Sequence, residues 1–354
     1  MDNLATTYQH IADILSFEIP KIELEERLGQ PAFNWDAIVV EGSKHLVLPA
    51  IYCRLRSKNL LHTLPNELKE YLEELTLLNR KRNLSIIEQV HSISDLFNKL
   101  NINHVFLKGS ALLISETFDD IAERMVGDID ILVDNKQLDT AFNLLETHGY
   151  HPIPQTLGNT FFEHKHLPRL KTDIHISAVE LHRKLFVSYN DKDLSSTTVL
   201  TKKQLVNKVY IPKNEHLLRH NILNYQINDN GKLYNSISFR SAYDSICLMR
   251  HKTMDIDIYE GNIFKTYFNI LGLFFYGLDN TIHSKRNFLT SFYLFKLKHI
   301  KFYKLWNKFL KFCNFSSILL KRIPYFVANS AYRKALFDDR KRVFDYFMSV
   351  LKNK

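Results

Sequence analysis

Two carboxylates flank a single isoleucine at the start of an apolar run, in the segment GDIDILV. Alternate side chains of a β-strand share a face, so Ile129, Ile131 and Val133 are expected to point into a core. Asp128 and Asp130 then lie side by side on the opposite face. Two ionised carboxylates this close repel each other unless a cation lies between them. The pair therefore predicts a divalent-metal site, and removing one charge should not destabilise the metal-free protein.

A third acid in the segment KTDIHIS fits the same pattern. If Ile174 and Ile176 face the core, Asp173 and His175 share the other face. A strand placed beside the first would bring Asp173 to the pair. Three carboxylates can hold two metal ions, Mg²⁺ (or Mn²⁺) for oxygen ligands, and can activate a hydroxyl group. His175 either lines the same cleft and contacts a ligand, or is a structural histidine.

A glycine and a serine follow the predicted strand NHVFL. Gly109 lets backbone approach a ligand closely, and the start of the next helix offers unpaired N–H groups to a phosphate. The hydroxyl group of Ser110 adds a donor. Lys108 and Arg124 are nearby cations for a polyphosphate. Together these four residues predict a polyphosphate-binding site.

One further ionic pair has a simpler interpretation. Arg240 and Asp244 stand four residues apart in a predicted helix. This spacing favours an ion pair on the helix surface.

The hydrophobic periodicity predicts an α+β fold, with a small mixed-sheet core between two helical regions. Residues 1–100 form the N-terminal helical region, where the spacing of five residues indicates one buried helix face: Ile86, Val90, Ile93, Phe97 and Leu100. The α/β core is predicted over 101–195, with strands at NHVFL and DIDILV and a strand pair at TFFEHKH and LKTDIHIS. The C-terminal helical region covers 196–354 and is basic after 280.

Composition excludes several classes of protein. At 45% hydrophobic and 24% charged residues the chain is typical of a globular protein. Its best apolar run, ILGLFFYGL, is half the length of a membrane span. The N-terminus lacks a secretory signal. Three scattered cysteines without a CxxC motif argue against a cysteine zinc site and a disulfide framework. We therefore expect a cytoplasmic protein without a transmembrane segment.

The basic residues are concentrated near the C-terminus, where 280–354 holds 17 Lys and Arg against 3 Asp and Glu. In the segment LFKLKHIKFYKLWNKFLKFC, two helical stripes are predicted on nearly opposite sides. The apolar stripe is Phe295, Phe302, Trp306, Phe309 and Cys313, and the basic stripe is Lys301, Lys304, Lys308 and Lys311. We expect the apolar stripe to be buried. The lysines are then a solvated face, a surface for RNA or DNA, or part of a membrane-surface helix.

The order of these motifs resembles the nucleotidyltransferase superfamily that includes DNA polymerase beta. The wider frame is similar to nucleotidyltransferase family 5, a bacterial family. The residues that carry the likeness are Leu107–Lys108–Gly109, Arg124, Gly127 to Val133, and Asp173–Ile174–His175. The likeness continues into NEHLLRHNILNYQ and FRSAYDSICL. It covers about residues 30 to 250.

The resemblance implies metal-dependent transfer of a nucleoside monophosphate from an NTP such as ATP, with release of pyrophosphate. It assigns the metals to Asp128 and Asp130, completion of the site and deprotonation of the acceptor to Asp173, and the triphosphate to Gly109 and Ser110. A small molecule, sugar, peptide or protein is the favoured acceptor. The alternatives are an RNA-directed, tRNA-modifying toxin-like enzyme, supported by the basic C-terminal face, and a catalytically idle nucleotide-binding module.

Overall fold

The structure is a computed structural model that describes residues 3–153, 161–162, 164–187, 189–250, 260–275 and 287–352. Helices dominate these ranges and surround a small mixed sheet of five strands. The predicted α+β class is confirmed. Within the same ranges, none of the helices has the length and apolar character needed to cross a membrane.

The elements follow one another in a fixed order along the chain. The helices are α1 Leu4–Leu15, α2 Lys21–Leu28, α3 Trp35–Lys44, α4 Leu48–Ser57, α5 Asn66–Lys99, α6 Lys108–Ile114, α7 Leu138–Thr147, α8 Ser196–Thr201, α9 Asn214–Leu223, α10 Gly231–Tyr234, α11 Phe239–Arg250, α12 Asn262–Leu271, α13 Phe288–Lys298, α14 Ile300–Ala328, α15 Ser330–Asp338 and α16 Arg340–Lys352. The strands are β1 His104–Leu107, β2 Ile129–Val133, β3 His151–Pro152, β4 Leu170–Lys171, β5 Val179–His182, β6 Gln204–Val206 and β7 Val209–Ile211.

The long helix α5 carries the periodic face predicted from the sequence. Four of its apolar residues are fully buried: Ile86, Val90, Ile93 and Phe97. The fifth, Leu100, was wrongly predicted to be buried and is 53% exposed. It lies one residue past the end of the helix, where Asn101 takes a left-handed conformation with φ 52°. The turn removes Leu100 from the face that the helix buries.

Polar side chains on α5 fix the loop that leads into β2. Asn79 and Asn83 donate hydrogen bonds to the carbonyl oxygen of Arg124, at 3.1 and 2.8 Å. Arg82 donates to the carbonyl oxygen of Gly127 at 3.1 Å. Buried or half-buried backbone carbonyls need such partners. The helix therefore sets the position at which the acid–isoleucine–acid segment enters the sheet.

The five-stranded sheet has the order β1-β2-β5-β4-β3. β1 and β2 are antiparallel, β2 and β5 are parallel, and β4 is antiparallel to both β3 and β5. The β1 and β2 predictions are confirmed, and all residues of these two strands are buried. The parallel pair places Asp130 opposite Glu180. This pairing brings two acidic side chains together on neighbouring strands.

The strand pair predicted between TFFEHKH and LKTDIHIS is wrong for the described residues. Only Leu170 and Lys171 of the second segment are in a strand, and β4 pairs with β3 and β5. Residues 160 and 163 of the first segment lie outside the described residues. Ile174 and Ile176, expected in the core, are 82% and 53% exposed. The alternating pattern of this segment therefore does not report a buried strand.

The buried aromatic stripe predicted near the C-terminus is also wrong. Phe295 and Phe309 are about half exposed, and Cys313 is exposed. Phe302 and Trp306 are half-buried against Phe292 of α13. The four lysines of the basic stripe are exposed, as predicted. In α14, apolar side chains are therefore left on the surface together with cations.

The buried side chain of Glu123, in the loop before β2, contacts Tyr243 of α11 and makes the stability of the protein depend on pH. Its carboxylate accepts a hydrogen bond from the hydroxyl group of Tyr243 at 2.8 Å, and burial raises its pKa from 4.5 to about 7. The unfolded chain then releases this proton at lower pH than the folded protein. Stability from this group is full below pH 4.5, falls as the pH rises, and stops falling above about 7.

We predict that the melting temperature of Glu123→Gln, taken relative to that of the wild type, rises from pH 5 to pH 8. The wild type loses a stabilising proton over this range, and the variant has no proton to lose at this position. Melting temperatures at both pH values measure the effect, which should reach a few degrees. Glu88→Gln, an exposed acid on α5, is the matched control and should show no such gain. An equal difference at both pH values would contradict the assignment.

Candidate active site

Acidic side chains from two parallel strands lie on one face of the sheet. Asp130 and Glu180 are paired in register between β2 and β5, and Leu132 is paired with His182. Because side chains alternate along a strand, Glu180 and His182 share the face of Asp130. Asp128, one residue before β2 begins, joins the same face at the end of this strand. The result is three carboxylates and one imidazole in a small area.

Basic side chains neutralise these carboxylates. Lys108 donates from Nζ to Oδ1 of Asp130, and His182 Nε2 lies 2.8 Å from the same oxygen. Arg169 bridges the other two acids, with its guanidinium 3.0 Å from Oδ2 of Asp128 and 2.7 Å from Oε1 of Glu180. The acids are therefore held in ion pairs.

The three carboxylates differ in proton affinity. Burial by itself would raise the pKa of Asp130, but Lys108 and His182 outweigh it and hold that pKa well below the usual range. Burial would also raise the pKa of Glu180, but hydrogen bonds from His182 and Arg169 lower it to about 2. The pKa of Asp128 is raised, chiefly by burial and against the attraction of Arg169.

These ion pairs change an expectation drawn from the sequence. Repulsion between Asp128 and Asp130 was expected to make the loss of either charge harmless to the metal-free protein. For Asp130 the premise is wrong, because its carboxylate is buried against Lys108 and His182. Removing it leaves the Lys108 ammonium group, which is itself largely buried, without that partner. An unpaired buried charge is costly.

The strand-to-helix turn after β1 is tightly constrained. Lys108 has φ 51°, a left-handed conformation that is rare for a side chain of this size. At Gly109, an added Cβ would come within 3.0 Å of Cγ2 of Val126. Glycine therefore lets the turn approach the segment before β2 this closely without displacing the Val126 side chain. The turn therefore places Lys108 against Asp130.

A cavity of about 320 Å³ opens beside these groups. Five of the residues selected from the sequence line it: Lys108, Gly109, Arg124, Asp128 and Asp130. Ser110 is buried and is absent from its lining, and its hydroxyl group donates to the carbonyl oxygen of Leu107 at 2.9 Å. That bond stabilises the turn. The structure gives the Ser110 hydroxyl no contact with the cavity.

Asp173 is exposed in the loop between β4 and β5 and does not line the cavity. His175 stacks on Tyr150, with ring centroids 6.3 Å apart. The acid–apolar–histidine pattern occurs a second time as Glu180–Leu181–His182, and this copy lies on β5 beside β2. Glu180 therefore occupies the place expected for Asp173. Both copies have the same spacing, and only strand pairing distinguishes them.

Arg124 and Asp244 form a buried ion pair across the cavity wall. Nε of Arg124 lies 2.8 and 3.0 Å from the two carboxylate oxygens of Asp244. Another nitrogen of the guanidinium donates to the carbonyl oxygen of Met125 at 2.6 Å. The surface ion pair predicted between Arg240 and Asp244 is thus replaced by a pair that joins the β2 loop to α11. Asp244 therefore holds the guanidinium group of Arg124 in place at the edge of the cavity.

The wall opposite the carboxylates comes from the C-terminal helices. It includes a short π-helical segment, Asn224–Asn228, that continues α9 and carries amide side chains into the lining. π-Helical turns are frequent at functional sites. Charged and polar lining residues that the sequence had not suggested include Lys165, Arg169, Glu180, His220, Asn224, Asn228 and Asp229, and both members of the predicted helix pair, Arg240 and Asp244, line the cavity as well. The basic segment HKHLPR and the second acid–apolar–histidine pattern were the available signals for three of them, Lys165, Arg169 and Glu180, and also for His182, which is not among the lining residues.

The donor groups fit a divalent metal. Among the described residues, Asp130, Glu180 and His182 place ligand atoms within 4.8 Å of one another, and Asp128 adds a carboxylate on the same face. Carboxylate oxygens suit Mg²⁺ and Mn²⁺, and an imidazole is acceptable to Mn²⁺. In the structure, Lys108 and Arg169 supply the positive charge beside these carboxylates.

The mixed sheet, the paired acids and the adjoining cavity are the features of a nucleotidyltransferase core. The profile of the family described as "Uncharacterised nucleotidyltransferase" matches residues 31–261, which is more than half of the chain. The chain belongs to this family, and the resemblance noted in its sequence is confirmed. No curated protein matches the chain. Family membership supports nucleotidyl transfer as the general activity.

We predict that Asp244→Asn destabilises the protein by about 3–5 kcal/mol, because it leaves the Arg124 guanidinium buried without its counter-ion. Urea unfolding measures the loss. The double variant Arg124→Met, Asp244→Leu should recover much of it, since apolar pairs replace buried ion pairs at little cost. Asp95→Asn, at an exposed acid on α5, is the control. Equal stability of Asp244→Asn and the control would show that the pair is unimportant.

Proposed function

We propose that the protein transfers a nucleoside monophosphate from an NTP to a hydroxyl-bearing acceptor in a metal-dependent reaction. The acceptor oxygen forms a bond to the α-phosphorus as the bond to the bridging oxygen breaks. Pyrophosphate leaves with the electron pair of that bond, and the acceptor proton passes to a carboxylate. The observation that carries the proposal is the alignment of Asp128, Asp130 and Glu180 on one face beside a cavity lined with cations.

The carboxylates have distinct places in this proposal. Asp128, Asp130 and Glu180 would hold the metal, and His182 would orient two of them through its hydrogen bonds. When bound, Mg²⁺ or Mn²⁺ would neutralise charge on the phosphates and polarise the α-phosphate. In this proposal Glu180 replaces Asp173 as the third acid.

The cations around the cavity support binding of a triphosphate. Lys108, Lys165, Arg169 and Arg240 all line it. Burial, followed by the repulsion of Lys108, lowers the pKa of Lys165, and an anionic ligand between the two lysines would relieve this repulsion. Gly109 lies at the same edge and leaves room for a phosphate. Arg124 is assigned mainly to positioning the loop, because its guanidinium pairs with Asp244.

A small molecule, sugar, peptide or protein side chain is the favoured acceptor. Many of the residues that line the cavity carry amide or charged side chains, and the exposed lysines of α14 are not part of its lining. An RNA-directed reaction would need those lysines to guide a long anion to the site. An idle nucleotide-binding module is the remaining alternative. Against it, three acids and their basic partners are all present.

We predict that Asp128→Asn, Asp130→Asn and Glu180→Gln each lower turnover by more than about 100-fold. A loss of roughly 100-fold is the upper end of what removal of a group that only hydrogen-bonds to a metal ligand causes. Asp173→Asn should remain close to wild type, because Asp173 lies outside the cavity. Transfer of label from each α-labelled NTP to cell extract, RNA or the protein itself measures turnover. Melting temperatures of all four variants separate loss of activity from loss of fold.

The comparison between Glu180→Gln and Asp173→Asn decides which acid is the third. An active Glu180→Gln variant and an inactive, folded Asp173→Asn variant would reverse our assignment. Absence of label transfer by the wild-type protein with every acceptor, together with Mg²⁺-dependent NTP binding, would favour the idle module.

We also predict that at least one NTP raises the melting temperature in the presence of Mg²⁺ or Mn²⁺. A ligand that binds only the folded state stabilises it by about 2.7 kcal/mol at 100 times its dissociation constant. Thermal-shift measurements with all four NTPs, with and without metal, test this. The metal-dependent part of the shift should disappear in Glu180→Gln and persist in Asp173→Asn. No metal-dependent shift with any NTP would overturn the metal-assisted site.

A further inference from the structure

The helix α14 exposes an apolar stripe that the rest of the described chain does not cover. Its 29 residues include none that is buried. The exposed members of the stripe are Leu305, Phe309, Phe312, Leu320, Ile323 and Val327, each at least half exposed. Their spacing is helical, with Ser316 at the midpoint, so they share one face. A contiguous exposed apolar surface of this kind usually marks an interaction site.

The stripe points away from the body of the protein. Tyr303 packs against the hydrophobic core, and Tyr325 contacts the ring of Phe162 with centroids 5.3 Å apart. At 100° per residue, these two tyrosines lie within about 40° of each other around the helix, and the stripe is centred on nearly the opposite side. The side of α14 that carries the two tyrosines is therefore attached to the protein, and Phe302 and Trp306 pack against α13 at one border of the stripe. The six stripe residues themselves remain exposed.

Cations border the stripe. α14 contains Lys301, Lys304, Lys308, Lys311, Lys321 and Arg322, and it contains no Asp or Glu. The first four are exposed and lie together beside the apolar side chains, between the stripe and the attached side. A partner of this surface must therefore offer an apolar region and negative charge next to each other.

We propose that α14 binds the surface of an anionic lipid bilayer. The apolar stripe would enter the boundary between head groups and acyl chains, and the lysines would lie against lipid phosphates. Basic amphipathic helices with aromatic and aliphatic side chains on one face bind membranes in this way. The helix would lie on the membrane without crossing it, consistent with the absence of a spanning helix among the described residues.

Two other partners satisfy only part of this surface. RNA would neutralise the lysines but would leave six apolar side chains in water. A second copy of the chain would cover the apolar stripe, but it would bring two lysine-rich helices together without an acid on either to compensate. An anionic lipid surface satisfies both features.

Sedimentation of the full chain with vesicles tests the proposal. One set of vesicles contains phosphatidylcholine alone, and the other contains equal parts of phosphatidylcholine and phosphatidylglycerol. We expect binding to the anionic vesicles, weak or absent binding to the neutral ones, and a decrease as salt is raised. The apolar variant Leu305→Gln, Phe309→Gln, Phe312→Gln should lose binding.

Two further variants separate the contributions. The lysine variant Lys304→Gln, Lys308→Gln, Lys311→Gln should bind anionic vesicles several-fold more weakly and lose the salt dependence. The control Leu77→Gln, Leu78→Gln, Leu84→Gln removes three exposed apolar side chains from α5 and should bind like wild type. The apolar variant, the lysine variant and the control should all keep the wild-type melting temperature, because the substituted side chains are exposed.

Three results would overturn the proposal. The first is equal binding to neutral and anionic vesicles, or none to either. The second is RNA binding that the lysine variant loses and the apolar variant keeps, without vesicle binding. The third is a dimer, measured by light scattering, that the apolar variant converts to a monomer while vesicle binding is absent.

Discussion

The buried carboxylate of Asp130 is the group on which the rest of the site depends. It is held ionised by Lys108 and His182, so its burial requires β1, β2 and β5 to be in register. The left-handed turn at Lys108 and the missing side chain of Gly109 are needed for the same contact. A shift of one residue in either strand pair would separate the partners and expose an uncompensated charge to the interior.

Two helices distant in sequence hold this arrangement from either side. α5 binds the carbonyl oxygens of the loop before β2 through its asparagine side chains. α11 supplies Asp244, whose pair with Arg124 ties the same loop to the C-terminal wall. The loop is therefore fixed by hydrogen bonds to its backbone and by one buried ion pair. The cavity lies between side chains of the sheet and side chains of the C-terminal helices α9 and α11.

The charge around the cavity and the charge on α14 serve different purposes in our account. Cations at the cavity lie among buried acids, and two of them, Lys108 and Arg169, form ion pairs with these acids. The lysines of α14 are exposed and border exposed apolar side chains. The first arrangement suits a compact polyphosphate with a metal ion, and the second suits an extended interface. Membership of a nucleotidyltransferase family accounts for the first, whereas the second rests on the geometry of this chain.

The sequence by itself determined the α+β class, the strand–glycine turn, the acid–isoleucine–acid strand and the exposed lysines, because these depend on local periodicity. Tertiary structure decided which acid lies beside Asp130. Asp173 and Glu180 both precede an apolar residue and a histidine, but only Glu180 lies on a strand parallel to β2. It also decided that Asp244 pairs with Arg124, and that the apolar stripe of α14 is exposed. Helical spacing shows which side chains share a face, but only the packing of distant elements determines what covers that face.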